Sequence, residues 1–260
     1  MKKHFFKATC TFAAIAATVF FTACSSEDSD GNKYEAGITE DNIQRMMTFN
    51  EAMAFTNQQS FQAYIGAGVT RSSRTDCFSF ITSQNSYTVT YDNCDFGGQT
   101  LNGTTSVSYV VDGENIDMTS TYTNFSVAGY TFNGSNQVVF AAEYDTGNFV
   151  VSTTSDLTVS TPDGDTVTDT GTRNYTYSFG QDFTDFSFSF EGEWTTTLNG
   201  DAYEFFTSSV LEGNIDCEYI VSGVLNVAYN DTSASIDFGD GTCDNQAVLT
   251  ISEVSQDITL

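Results

Sequence analysis

From Cys77 onward, apolar residues fall on every second position. Tyr87, Val89 and Tyr91 alternate with polar residues, as do Val107, Tyr109 and Val111. The same holds for Tyr175, Tyr177 and Phe179, and most plainly for Phe186, Phe188 and Phe190. A period of two is the signature of strands that bury one face and expose the other. Between the rows stand Asn102-Gly103, Asp112-Gly113, Asn133-Gly134, Asp163-Gly164, Asn199-Gly200 and Asp240-Gly241. Such dipeptides supply the positive φ angles that two-residue hairpin turns need. Connections this short leave no room for crossover helices, which excludes parallel α/β folds. The predicted fold class is therefore mainly β, an antiparallel meander forming a sandwich or an open barrel. The single proline, Pro162, precedes a turn, where its missing N–H is harmless.

Upstream the period changes. Thr39 is a candidate N-cap, and Glu40 and Asp41 occupy the first turn, where the helix dipole favours carboxylates. Ile43, Met46, Met47, Asn50 and Ala54 then recur at helical spacing. The pattern predicts one short N-terminal helix over about 39–54. A continuation through Phe61, Tyr64 and Ile65 would stop at Gly66 and Gly68. Its methionines are expected to pack against the sheet. The helical segment is assigned to 38–69 and the antiparallel β domain to 70–260.

The first residues are an address rather than a fold. Lys2, Lys3 and Lys7 precede an apolar stretch from Ala8 to Phe21, too short to span a bilayer comfortably. Small or hydroxyl residues, Thr22 and Ala23, then precede Cys24. These are the parts of a secretory signal. With a cysteine at the cut, Phe20-Phe21-Thr22-Ala23-Cys24 resembles the lipobox of bacterial lipoproteins, with Phe21 where leucine is usual. The resemblance implies removal of residues 1–23 and acylation of Cys24, so that the membrane is a partner through acyl chains. Ordinary secretion with Cys24 incidental is the alternative. Residues 24–37 read as a flexible acidic tether. Within it, Ser25-Ser26-Glu27-Asp28-Ser29-Asp30 resembles the acidic export signals of surface lipoproteins of Bacteroidota, and a plain solvated linker reads equally well. Serine after the cysteine, by resemblance to Gram-negative sorting rules, points to the outer membrane.

Cleavage before Cys24 leaves 237 of the 260 residues, enough for one large β domain or two small ones. Five basic residues then face 34 acidic ones, a formal charge of −29. Such a field repels nucleic acid and anionic headgroups and favours cationic partners and divalent metal ions. It also discourages strand edges of separate copies from pairing. The only histidine, His4, lies in the signal, which excludes Ser-His-Asp and Cys-His chemistry and His-ligated metals in the mature chain. Lys33, the one lysine after position 24, sits in the tether, so Schiff-base chemistry is not expected. Cys77, Cys94, Cys217 and Cys243 form an even set in an exported chain and read as disulfides. Three pairings are open, and the nearest-neighbour one, Cys77–Cys94 with Cys217–Cys243, is expected. Zinc would require closer cysteine pairs.

Three constellations bear on chemistry. Asp237, Asp240 and Asp244, with Gly239 and Gly241, offer oxygen ligands for Ca²⁺, yet their order does not fit an EF-hand loop and a hairpin needs Asp-Gly anyway. Glu191, Glu193 and Trp194 are the best candidates for a carboxylate-based hydrolase with a sugar platform. Trp194, however, shares the parity of the buried Phe186, Phe188 and Phe190 row. Asp165-Thr166-Val167 resembles the O-glycosylation acceptor motif of Bacteroidota. A transmembrane barrel is the remaining architectural alternative, opposed by the acids interspersed along the polar faces.

The acidic tether, the N-terminal helix, Cys77 opening the first strand and the ending Ile236-Asp237-Phe238-Gly239-Asp240-Gly241-Thr242-Cys243-Asp244 together resemble β-rich lipoproteins of Bacteroidota. Where that resemblance leads one to expect an Asn-Gly hairpin after Ile251, this chain has Ser252-Glu253-Val254. The resemblance implies a fold and an address but no activity. The sequence thus predicts an outer-membrane lipoprotein with a structural or interaction role. No catalytic residues, metal or cofactor are expected. A surface module binding a glycan or another ligand is the second reading, and a hydrolase the third.

Overall fold

The computed structural model describes residues 36–39, 42, 43, 45, 46, 49 and 77–260, with 97, 98, 114, 144, 180–185, 215, 216 and 218 excepted. The predicted signal, Cys24, nearly all of the tether and most of the 38–69 segment lie outside the described residues. Thirteen strands follow one another. They are β1 (Phe78–Thr82), β2 (Ser86–Phe96), β3 (Gln99–Asp112), β4 (Asn115–Val127), β5 (Tyr130–Glu143), β6 (Asn148–Ser160) and β7 (Thr166–Phe179). Then come β8 (Phe186–Leu198), β9 (Asp201–Asn214), β10 (Ser222–Tyr229), β11 (Thr232–Asp240), β12 (Gln246–Ile251) and β13 (Val254–Thr259). All belong to one antiparallel sheet in chain order, the meander that the alternation predicts. The sheet does not close on itself: β1 and β13 are its two edges.

Alternation holds along most strands, but it lapses at the end of β3: Val110 and Val111 are both exposed, so Val111 does not extend the buried Val107 row as the sequence predicts. In β6, Thr153, Ser155, Leu157 and Val159 are buried while Thr154, Asp156, Thr158 and Ser160 are exposed. Four of the six predicted turn dipeptides do end strands. Asp112-Gly113, Asp163-Gly164, Asn199-Gly200 and Asp240-Gly241 all lie at strand ends, and Asn199 and Gly200 take φ of 53° and 99°. The other two correct the sequence reading, because Asn102-Gly103 and Asn133-Gly134 lie inside β3 and β5. There the positive φ serves a bulge rather than a turn. The Asn102 side-chain oxygen accepts the Asn93 N–H at 2.8 Å, and Asn133 accepts the Asn124 N–H at 2.9 Å. Asn93 and Asn124 themselves have φ of 53° and 47°. Register shifts accompany them, between Tyr91 and Cys94 in β2 and between Tyr122 and Phe125 in β4. Bulges and glycine kinks of this kind bend and twist a sheet locally. The β12–β13 hairpin turns on Ser252 and Glu253, with φ of 48° and 71°, so this turn is made without glycine.

One face of the sheet carries the core. It runs from Cys94 and Leu101 through Phe125, Phe132, Leu157, Trp194 and Tyr203 to Leu225, Ile236 and Leu249. Ile43, Met46 and Phe49 pack into the same cluster, while the predicted helix over about 39–54 lies largely outside the described residues. The Thr39 hydroxyl accepts the Asn42 N–H at 3.1 Å and its carbonyl the Ile43 N–H at 3.0 Å. The chain is tied to the sheet there, since Asn42 Nδ2 donates to Tyr203 Oη at 3.3 Å and Arg45 pairs with Asp165 at 2.8 Å. A second, smaller cluster of Tyr87, Val89, Val107 and Met118 covers the far end of β2–β4.

The disulfides are Cys77–Cys94 and Cys217–Cys243, the nearest-neighbour pairing. The first fixes the start of β1 to β2, and the second ties the β9–β10 connection to the β11–β12 turn. Cys217–Cys243 closes a 26-residue separation, and such loops stabilise by about 3–4 kcal/mol in the chain-entropy picture. Replacing both Cys217 and Cys243 by Ser should lower the unfolding free energy by about that much, seen as a lower urea midpoint with a steeper slope, because the denatured chain is then less compact.

Packing also sets an alkaline limit. Burial, with Tyr122 adding to it, pushes the Tyr91 hydroxyl up to about 12. A tyrosine in the unfolded chain ionises near pH 10. Between pH 10 and about 12 unfolding therefore releases a proton, and stability falls as pH rises. Denaturant titrations at pH 9 and pH 11.5 should show that fall, and Tyr91→Phe should recover part of it.

Candidate functional site

Polar residues at core positions of β6–β8 form one cluster. On β7, alternation places Val167, Asp169, Gly171, Arg173 and Tyr175 on the inner face. Asp169 and Arg173 are buried, and the two join across Gly171. Arg173 Nη2 donates to Asp169 Oδ2 at 2.7 Å and Nη1 to Oδ1 at 2.9 Å. Thr196 Oγ1 donates to Oδ2 at 3.0 Å, and Ser155 Oγ to Oδ1. The carboxylate thus accepts four hydrogen bonds, a full complement for a buried ion. The guanidinium also lies 4.4 Å from the centre of the Trp194 ring, a cation–π contact. Phe205 stacks on that ring at 5.1 Å and 4°, and Phe190 meets it edge-on at 5.9 Å.

Gly171 makes this geometry possible. Its φ is +143°, and a Cβ there would sit 2.4 Å from the Trp194 Cα. Sequence reasoning missed the cluster, although a signal existed. Arg173 is the only basic residue after position 76, and it shares the core parity of β7 with Asp169. Beyond it, Tyr175 packs on Phe190 at 4.8 Å. Burial, opposed by Arg173 and assisted by Asp169, raises the Tyr175 hydroxyl above its ordinary value, and burial does the same for Tyr177. The acid and the base are paired with each other, and burial favours the protonated phenols.

The residues singled out in the sequence fall elsewhere. Glu191 and Glu193 are exposed on the outer face, opposite the buried Trp194, which belongs to the core row as its parity indicates. Asp237, Asp240 and Asp244 each serve their own turn. Asp237 accepts the Gly239 N–H at 3.0 Å, Asp240 the Thr242 N–H at 3.2 Å, and Asp244 the Gln246 N–H at 3.0 Å. The Thr242 hydroxyl and N–H hold the Asp240 carboxyl below the usual range. Among the described residues no three acidic, cysteine or histidine groups converge as metal ligands would. Asp165, of the Asp165-Thr166-Val167 motif, pairs with Arg45 and accepts from Asn199 Nδ2 at 2.7 Å.

The outer face is mainly polar, with rows such as Asp156, Thr170, Thr195 and Glu204 crossing β6–β9, though Phe206, Val210 and Val248 also stand exposed on it. The described tyrosines are buried or half-buried, and Phe206 is the exposed aromatic of the outer face. An unclosed sheet with carboxylates on its outer face does not fit a lipid-facing barrel, which requires closure and an apolar exterior. Among the described residues no helix is long and apolar enough to cross a membrane. Among the described residues no further strand pairs with the two edge strands, β1 and β13. β13 is exposed at Val254, Ser255, Gln256, Asp257 and Thr259, and only Ile258 is half-buried. Comparison with protein-family models, with curated proteins and with solved structures finds no match to this chain.

Proposed function

We propose that this chain is a lipid-anchored protein of the bacterial cell envelope, held at the outer membrane by acyl chains on Cys24, whose sheet domain binds a partner and catalyses nothing. The anchor rests on the lipobox-like run Phe20-Phe21-Thr22-Ala23-Cys24. Each buried CH₂ of an acyl chain adds about 0.8 kcal/mol, so two or three chains give lasting attachment. The observation that carries the binding role is the open meander, with its interior ions neutralised by one another and its edges unpaired within the described sheet. Backbone N–H and C=O groups on an edge are recognition surface in their own right. Glu191 and Glu193 both stand exposed on the outer face, which offers a hydrolase little. The glycan reading needs aromatic platforms, and the aromatic rows pack into the core.

The test of the anchor is fractionation of the producing cell. Cys24→Ala should move the protein from the membrane pellet to the soluble fraction. Retention of the variant in the pellet would refute the acyl anchor.

A further inference from the structure

We infer that β13 is a docking edge for an extended, cationic segment of another protein, which adds to the sheet as a fourteenth strand. The inference rests on the domain being a binding module and names the surface and the chemistry of its partner. Natural sheets protect edge strands with lysine, proline, bulges or a covering element. β13, Val254-Ser255-Gln256-Asp257-Ile258-Thr259, has no lysine and no proline, and it pairs with β12 in unbroken register from Val254↔Ile251 to Thr259↔Gln246. Its exposure is high, 71% at Val254. In an antiparallel ladder the outward-pointing N–H and C=O groups of such an edge are free to accept a further strand.

Charge selects the occupant. The outer face beside the edge carries Asp257 and, two strands in and in the same row, Asp237, with Val248 between them. Glu253 stands in the adjoining turn. The mature chain's formal charge, five basic residues against 34 acidic ones, repels a second copy. The same field draws in a strand whose outward side chains are lysine or arginine. On the inner side, Val254 and Ile258 share a face with Ala247 and Leu249 of β12, so apolar residues at the alternate positions of the incoming strand would extend that face.

The experiment uses the purified full-length mature lipoprotein in detergent. It is titrated with an octapeptide of alternating lysine and valine, its glutamate–valine counterpart, and a lysine–valine peptide interrupted by proline at equal charge. The expected result is saturable binding of the first, with amide-exchange protection at residues 254–259. The proline peptide should bind at least about tenfold more weakly, the glutamate peptide not at all, and added salt should weaken binding. Asp257→Lys, on an exposed position that leaves the fold intact, should cost a further tenfold or so. Equal binding of the proline-interrupted peptide would reduce the effect to bulk charge and overturn the proposal. So would protection at β1 instead of β13, or self-association through 254–259. Peptide binding is read without a membrane, so its failure is distinct from failure of the Cys24 anchor.

Discussion

Asp169→Ala should cost about 3–5 kcal/mol of folding stability. The replacement leaves Arg173 buried at 3% exposure without its bidentate carboxylate, and it strips acceptors from Ser155 and Thr196. An uncompensated charge in the core, rather than a lost attraction, sets this magnitude. Arg173→Met alone should be comparably harmful, because it strands Asp169. The double variant Asp169→Leu with Arg173→Met should recover most of the loss, since removing both ions removes the desolvation that each imposed. Urea unfolding of the three variants measures this directly. Purely additive losses in the double variant would show that the two residues do not act as a pair.

Gly103→Ala should cost about 3–5 kcal/mol, combining strain at positive φ with overpacking against backbone. A Cβ at Gly103 would stand 2.0 Å from the Asn124 carbonyl oxygen and 2.7 Å from the Phe125 Cα. Neither obstacle is a flexible side chain, so β3 and β4 would have to part at the bulge. Gly113 supplies the control. It also has positive φ, 60°, but a Cβ there meets nothing within 4 Å. Gly113→Ala should therefore cost only about 1 kcal/mol, the conformational part alone. Equal losses at the two positions, measured by denaturant unfolding, would mean that the close approach of β4 to Gly103 does not matter.

Gly103 also marks where the sequence was ambiguous. Asn-Gly reports a need for positive φ, and a hairpin turn and a mid-strand bulge share that need. At Asn199-Gly200 it is a turn, and at Asn102-Gly103 and Asn133-Gly134 it is a bulge locked by an asparagine side chain. Local composition does not separate the two, because the difference lies in the strand across the gap. The strand faces were legible because burial enforces the period of two residue by residue, as in Leu157, Val159 and Val167. The nearest-neighbour disulfides were legible because each closes a short segment of a meander. Whether such a meander closes, opens or folds into layers depends on accumulated bends, which no single strand encodes. The ion cluster at Asp169 and Arg173 went unread for another reason. Polar residues at core parity look like breaks in a pattern until the partner from a neighbouring strand, Ser155 or Thr196, is seen. Edge strands are hard to tell in the pattern, since Val254 and Ile258 of β13 share one parity as in an interior strand and only the topology leaves it outermost.

The proposed place of the protein in the cell envelope depends on its being moored, and the N-terminal residue of the mature chain decides that. Intact-mass and peptide mass spectrometry of protein extracted from native membranes should find residue 24 first, its thiol bearing a diacylglyceryl group. A mature chain that begins elsewhere, or begins at an unmodified Cys24, would contradict the account.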